Sequence, residues 1–138
     1  MKFIDNSLNL AYSLFNSAYT NKKGYQCFHF AFLYDKNRLI SIGQNDSSQP
    51  SSKAIKFANR FGCVEHYRKH FLHAEISAIS RVWGRFYIDN RVKLVVIRLN
   101  KHGQLCESKP CSNCQVVLDA LNITKVWYST KDRGVVNE

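Results

Sequence analysis

Two short blocks, His73-Ala74-Glu75 and Pro110-Cys111-Ser112-Asn113-Cys114, carry one imidazole, one carboxylate and two thiols at widely separated places in the chain. Any fold that uses them together must bring residue 73 and residues 111–114 to one point. One imidazole and two ionisable thiols, with a carboxylate two residues from the imidazole, are what a catalytic zinc needs: three protein ligands and a fourth position left for water. Cys111 and Cys114 are three apart, so at the start of a helix their Cβ atoms share a face about 5–6 Å from each other. Pro110 suits that placement, because a proline at or before the first turn gives up no helical hydrogen bond. A structural zinc is normally closed by four protein ligands, and these blocks supply three.

At 138 residues the chain is expected to form a single domain, residues 1–138, with one core. Hydrophobic residues make up 45% of it, including nine Phe and seven Tyr, which points to a folded globule. No apolar run reaches the roughly 20 residues of a membrane span. The first 19 residues are broken by Asp5, Asn6, Ser7, Asn9 and Asn16, so they do not read as a signal peptide. No membrane partner and a cytoplasmic setting are expected. The five cysteines, two of them in the C-x-x-C, read as metal ligation more readily than as a disulfide frame. Cys27 in a strand and Cys106 in the loop before the C-x-x-C are expected to be ordinary thiols.

Periodicity divides the chain into elements. Asn6 or Ser7 can cap a first helix whose stripe is Leu10, Ala11, Leu14, Phe15 and Ala18, ended by Lys22, Lys23 and Gly24. Residues 25–42 read as a hairpin turning at Asp35-Lys36-Asn37. Gln44 to Ser52 is a polar loop, followed by a short basic segment, Lys53 to Phe61, with Phe57 and Phe61 four apart. His73 to Trp83 reads as a helix with Leu72, Ile76, Ile79 and Trp83 facing the core, stopped by Gly84. Val92 to Leu99 has the composition of a strand buried on both faces. A helix from Cys111 to about Leu121, a strand from Ile123 to Ser129 and a turn at Lys131 to Gly134 complete the order. This is an α/β arrangement, a sheet with helices packed on it. Only ten residues run from Ser129 to Glu138, too few for a crossover, so a strand after Ser129 should be antiparallel to its neighbour.

The His-Ala-Glu and Pro-Cys-x-x-Cys pair is the mark of zinc nucleobase deaminases, and the chain resembles the cytidine/deoxycytidylate deaminase superfamily. Ser41-Ile42-Gly43-Gln44-Asn45 resembles the family's strand ending in Gly-x-Asn, and Ser108-Lys109-Pro110-Cys111 is similar to small deaminases of viral or bacterial type. The resemblance implies a three-layer domain with a mixed sheet, in which the helix starts bearing His73 and Cys111/Cys114 meet over the sheet. It implies one zinc ion held by His73, Cys111 and Cys114, with Glu75 carrying protons to the ring nitrogen and the leaving ammonia. It further implies that Asn45 orients the substrate and that the Ala74 backbone faces the base edge. His29, in the first hairpin strand, is either a pocket wall or a hydrogen-bonded structural histidine. Cys63, His66 and His70 stand at near-ligand spacing, and some deoxycytidylate deaminases carry an extra zinc; a basic surface segment explains the two histidines equally well.

Lys and Arg number 20 against 10 Asp and Glu, a formal charge of +10, which favours a polyanionic partner. Lys53, Lys56, Phe57 and Arg60 are the candidate contacts to single-stranded nucleic acid, by phosphate tracking and base stacking, or else they form a solvated helix face. The expectation is hydrolytic conversion of cytosine to uracil, with single-stranded nucleic acid ahead of a free cytidine or deoxycytidine nucleoside or nucleotide. Adenosine in RNA comes third, and a non-catalytic binding module that keeps the zinc fold is the reading from another class; an intact Glu75 argues against it. Ser77 departs from the asparagine common in deoxycytidylate deaminases. Free-nucleoside members of the superfamily end on an antiparallel strand, whereas the tRNA and deoxycytidylate types end on a parallel one, so topology and charge point to different substrates. The family often assembles through its helices, and a homo-oligomer is expected on that ground.

Overall fold

The structure, a computed structural model, describes residues 1–18, 27–45, 52–61 and 72–137. The elements run α1 (Lys2–Ala18), β1 (Cys27–Asp35), β2 (Arg38–Gln44), α2 (Ser52–Phe61), α3 (Ala74–Val82), β3 (Val92–Asn100), β4 (Leu105–Cys106), α4 (Ser112–Ala120), β5 (Lys125–Ser129) and β6 (Val135–Val136). Among the described residues they build one mixed sheet in the order β2-β1-β3-β5-β6, with β4 also paired to β3. β1 is antiparallel to both β2 and β3, β3 and β5 are parallel, and β6 returns antiparallel to β5.

The central strand β3 is buried on both faces, as its aliphatic composition dictates. Val92, Leu94 and Val96 join one core with α3 and α4, while Val95, Ile97 and Leu99 join the other with Phe3 and Ala11 of α1. β1 divides its side chains by size. Phe28, Phe30, Phe32 and Tyr34 fill the α1 side, and Ala31 and Leu33 face α3. Ala31 pairs with Gly43 across the hairpin, which leaves a low spot on the sheet where α3 settles through Ala74 and Ala78. A Cβ on Gly43 would collide with the Ala74 carbonyl oxygen and the Ala78 amide nitrogen, and would lie 2.9 Å from the Ala78 Cα. Ser41 completes the contact by donating its hydroxyl to the Ala78 carbonyl at 2.7 Å.

Four expectations require correction. α1 begins at Lys2, so neither Asn6 nor Ser7 caps it. Ser7 is fully buried inside the helix, bonding the Phe3 carbonyl at 2.7 Å and meeting the Tyr34 hydroxyl at 2.8 Å. Packing of Phe3 against Tyr34 and Trp127 recruits the extra turn. Trp83 is not a core residue: it is 38% exposed and packs edge-on against Phe61 of α2 at 6.0 Å. Cys106 lies in β4, paired with Arg98, and not in a loop. The last strand of the main ladder starts at Lys125, with Ile123 in the core just before it. The hairpin turn, the Gly84 stop and the closing turn at Gly134 are as expected, with Lys36, Gly84 and Gly134 all at positive φ. The end of α1 at Lys22 to Gly24, most of the polar loop before α2, and the Cys63, His66 and His70 group lie outside the described residues.

Candidate active site

Both reactive blocks fall at helix starts on one side of the sheet. His73 is the N-cap of α3 and Cys111 the N-cap of α4, and neither makes a side-chain capping hydrogen bond. Their backbone carbonyls accept the first intrahelical hydrogen bonds, from the Ser77 and Gln115 amides at 2.9 and 2.8 Å. The side chains, which make no capping bond, face each other. The His73 Nδ1 lies 3.5 Å from the Cys111 Sγ and 3.4 Å from the Cys114 Sγ, and the three ligand atoms all sit within 4.8 Å of one another. Zinc bonds of 2.0–2.1 Å to nitrogen and 2.3 Å to sulfur in a tetrahedron would put N and S about 3.6 Å apart. The donor set and its spacing therefore fit one zinc ion. His73 and Cys111 are open to solvent and Cys114 is buried, so the group faces a mouth from which a reactant can enter.

The electrostatics agree with a metal-ready site. A hydrogen bond from the Cys114 thiol, reinforced by the His73 imidazole, lowers Cys111 to about 3. Cys114, bonded to that thiolate and buried, is raised well above its ordinary value, and His73 is raised by its contact with Cys111. Positive helix N-termini favour the anionic sulfurs. Ligation would displace protons from this cluster, which makes metal affinity pH-dependent. Glu75, two residues into α3, is 4% exposed and within hydrogen-bonding reach of Cys114. Burial raises its carboxyl above the ordinary 4.5.

Asn45 and His29 lie together at the neighbouring strand ends. Asn45 follows β2 directly, and its Oδ1 accepts from the His29 amide at 3.0 Å while its own amide donates to the His29 carbonyl at 3.3 Å. The His29 imidazole is half-buried on the α3 face, and burial, followed by the positive charge of Arg98 across the strand pair, lowers it to about 4. It is thus neutral at neutral pH. The charges of His73 and Cys111 act on it more weakly, in opposite directions. Ala74 is fully buried, with its carbonyl against β2 at Gly43.

The C-terminal end of the basic segment, at Arg60, stands apart from this cluster. Lys56 and Arg60 are exposed on α2, and Arg60 lies 5.1 Å over the Trp83 ring, at the C-terminal end of α3. The nine residues of α3 separate that end from His73, about 14 Å at 1.5 Å per residue. Lys53 and Phe57 share α2, but their side chains lie outside the described set. Sequence reasoning quoted Ser108 only within the Ser108-Lys109-Pro110-Cys111 resemblance and gave neither it nor Ser129 a role; their hydroxyls hold the strand from which the Cys111 loop departs. A buried serine pair leaves no periodic signal.

Residues 1–130 match the zinc-binding region of cytidine and deoxycytidylate deaminases. The chain belongs to that family. It is accordingly a zinc-dependent hydrolytic deaminase, and the His73, Cys111 and Cys114 group is one that could hold the ion. Among solved structures, cytidine deaminase from Mycobacterium leprae is similar at 19% identity and a TM-score of 0.50, over 93% of this chain and 90% of that one. A point mutant of cytidine deaminase from Mycobacterium tuberculosis is similar at 17% identity and a TM-score of 0.47, over 91% and 87%. At 19% identity the likeness to the Mycobacterium leprae enzyme is one of fold. No curated protein matches the chain. No helix among the described residues is long and apolar enough to cross a membrane.

Proposed function

We propose that this deaminase converts cytosine to uracil in a small free substrate, a cytidine or deoxycytidine nucleoside or nucleotide. The observation that carries the reading is β6, which turns back antiparallel on β5, the ending that the superfamily resemblance associates with free-nucleoside enzymes. The distance of Arg60 from the metal group adds to it, because the basic helix end does not lead into the site.

In this reading His73, Cys111 and Cys114 hold the zinc, which when bound supplies a water acidified to near neutrality. Glu75 is the proton carrier. Its carboxylate takes a proton from the nucleophile, delivers one to the ring nitrogen beside the attacked carbon, and then protonates the departing amine, so that cytosine and water become uracil and ammonia. Asn45, fixed on the His29 backbone, orients the substrate, the Ala74 backbone faces the base edge, and the neutral His29 ring forms part of the wall.

Single-stranded nucleic acid is the second reading, favoured by the +10 charge. Cytidine, deoxycytidine, their monophosphates, and single-stranded cytosine and adenine oligonucleotides, offered side by side with ammonia release and base conversion measured, separate the two. Turnover of a free cytosine compound supports the proposal, and conversion confined to oligonucleotides overturns it. If an oligonucleotide is the substrate, replacing Lys53, Lys56 and Arg60 together should flatten the slope of log affinity against log salt by about 2, at roughly 0.7 per phosphate contact.

A further inference from the structure

We propose that Ser108 and Ser129 are positioning residues for the metal ligand Cys111, acting as a hydroxyl clip at the root of the ligand loop. The inference rests on the assignment of Cys111 as a ligand made above. It starts from a discontinuity in the sheet. One edge of β3 is shared by two partners: β5 runs parallel along Lys93 to Val96, and β4 runs antiparallel along Arg98 and Leu99. Where the edge passes from one to the other, two backbone groups of β3 are bonded by serine side chains. The Ser108 hydroxyl donates to the Val96 carbonyl at 2.7 Å, and the Ser129 hydroxyl oxygen accepts from the Arg98 amide at 3.0 Å.

The same two hydroxyls bind the departing chain. The Ser129 hydroxyl donates to the Cys106 carbonyl at 2.7 Å, and the Ser108 hydroxyl oxygen accepts from the Ser129 amide at 2.8 Å. The Ser108 amide donates to the Ser129 carbonyl at 3.0 Å, and the hydroxyl oxygens are 2.9 Å apart. Arg98 adds a guanidinium bond to the Glu107 carbonyl at 3.3 Å. Each hydroxyl therefore has one donor bond and at least one accepted bond, and the pair is 4% and 0% exposed. Residues 106–108 are tied to β3 and β5 at every step.

Cys111 comes three residues after Ser108, a span of about 10 Å at most, and Pro110 fixes one of the intervening φ angles. The Cys111 side chain is exposed and makes no capping bond, so the path from the clip and the start of α4 together determine where its sulfur stands. Removing a hydroxyl would leave a buried amide or carbonyl without its partner and let the loop root shift, moving the thiolate relative to His73 and Cys114. Supporting groups of this kind typically change metal affinity by about 10–100-fold.

The test uses the full chain. Zinc affinity is measured by competition with a chelator, and the thiolate-to-metal band is recorded after cobalt substitution, for wild type, Ser108→Ala, Ser129→Ala and Ser129→Thr. The alanine variants should bind zinc about 10–100-fold more weakly with an altered cobalt band, and Ser129→Thr, which keeps the hydroxyl, should recover both. Thr130→Ala is the control. Thr130 is equally buried, but among the described residues its hydroxyl serves the closing turn, bonding Gly134 and Arg133, so its loss should lower the melting temperature and leave zinc affinity and the cobalt band unchanged. Where an alanine variant does not fold, Ser129→Cys, nearly isosteric and a weak hydrogen-bonding group, carries the same reading. Wild-type affinity and an unchanged cobalt band in the folded alanine variants, or in Ser129→Cys where those do not fold, would overturn the positioning role. Undiminished zinc in Cys111→Ala would instead overturn the ligand assignment beneath it.

Discussion

Two residues at the start of α3 divide the chemistry by burial. His73 is at the open mouth and Glu75 is enclosed, so the first can take a metal and the second has its carboxyl raised by burial. Because burial raises the Glu75 carboxyl above 4.5, and a base must be ionised to accept a proton, kcat/KM should fall as pH drops through that raised value. With zinc content checked at each pH, the acid limb is expected at a pH clearly above 4.5; a limb centred at or below it would remove the raised carboxyl from the mechanism. Cys111→Ala and Cys114→Ala should each lose zinc as well as turnover, since each removes one of three ligands, and metal analysis of the purified variants checks this. These residues were legible in the sequence because their types and spacing are dictated by the ion. The bonding roles of Ser108 and Ser129 were not, because their partners are mostly backbone groups on strands that sequence does not align.

At the scale of elements, the approach of α3 to the hairpin decides whether the site exists. Ala31, Gly43, Ala74 and Ala78 are all small where helix meets sheet, and the Gly43 position has no room for a methyl group against the α3 backbone. Gly43→Ala should therefore cost about 3 kcal/mol or more, the upper end of overpacking, and should reduce zinc binding by pushing His73 and Glu75 off the sheet. Thermal melting and metal analysis read both effects, and a variant with wild-type stability would show that the seam is looser than described. The Gly-x-Asn resemblance pointed to Gly43, but its reason became visible only with the packing. Periodicity located α3, α4 and β3 to within a residue or two. It failed at α1, where the contacts of Phe3 with Tyr34 and Trp127 extend the helix past a serine that looked like a cap. It failed again at β4, two residues that have no pattern of their own. Trp83 has core chemistry, yet it lies half-open against α2, since the helix ends there and its neighbour is Arg60.

The whole molecule brings residues 38 positions apart, His73 and Cys111, to one point by running β3 through the middle of the sheet and returning β5 parallel to it. The ligands come from helix starts on the α3 and α4 side, and α1 seals the opposite face. β6 returns antiparallel to β5, in line with the expectation for a strand after Ser129, while charge alone points toward nucleic acid; Arg60 sits over Trp83 at the far end of α3 from His73. The proposed reaction requires Glu75 to be the proton carrier beside a three-ligand zinc. The most direct measurement is zinc content together with uracil and ammonia formation in Glu75→Gln, using whichever cytosine compound the wild type converts. One zinc per chain, a wild-type melting curve and a loss of turnover of at least about 100-fold are predicted, in line with the usual contribution of acid–base catalysis. Wild-type turnover in that variant would contradict the account.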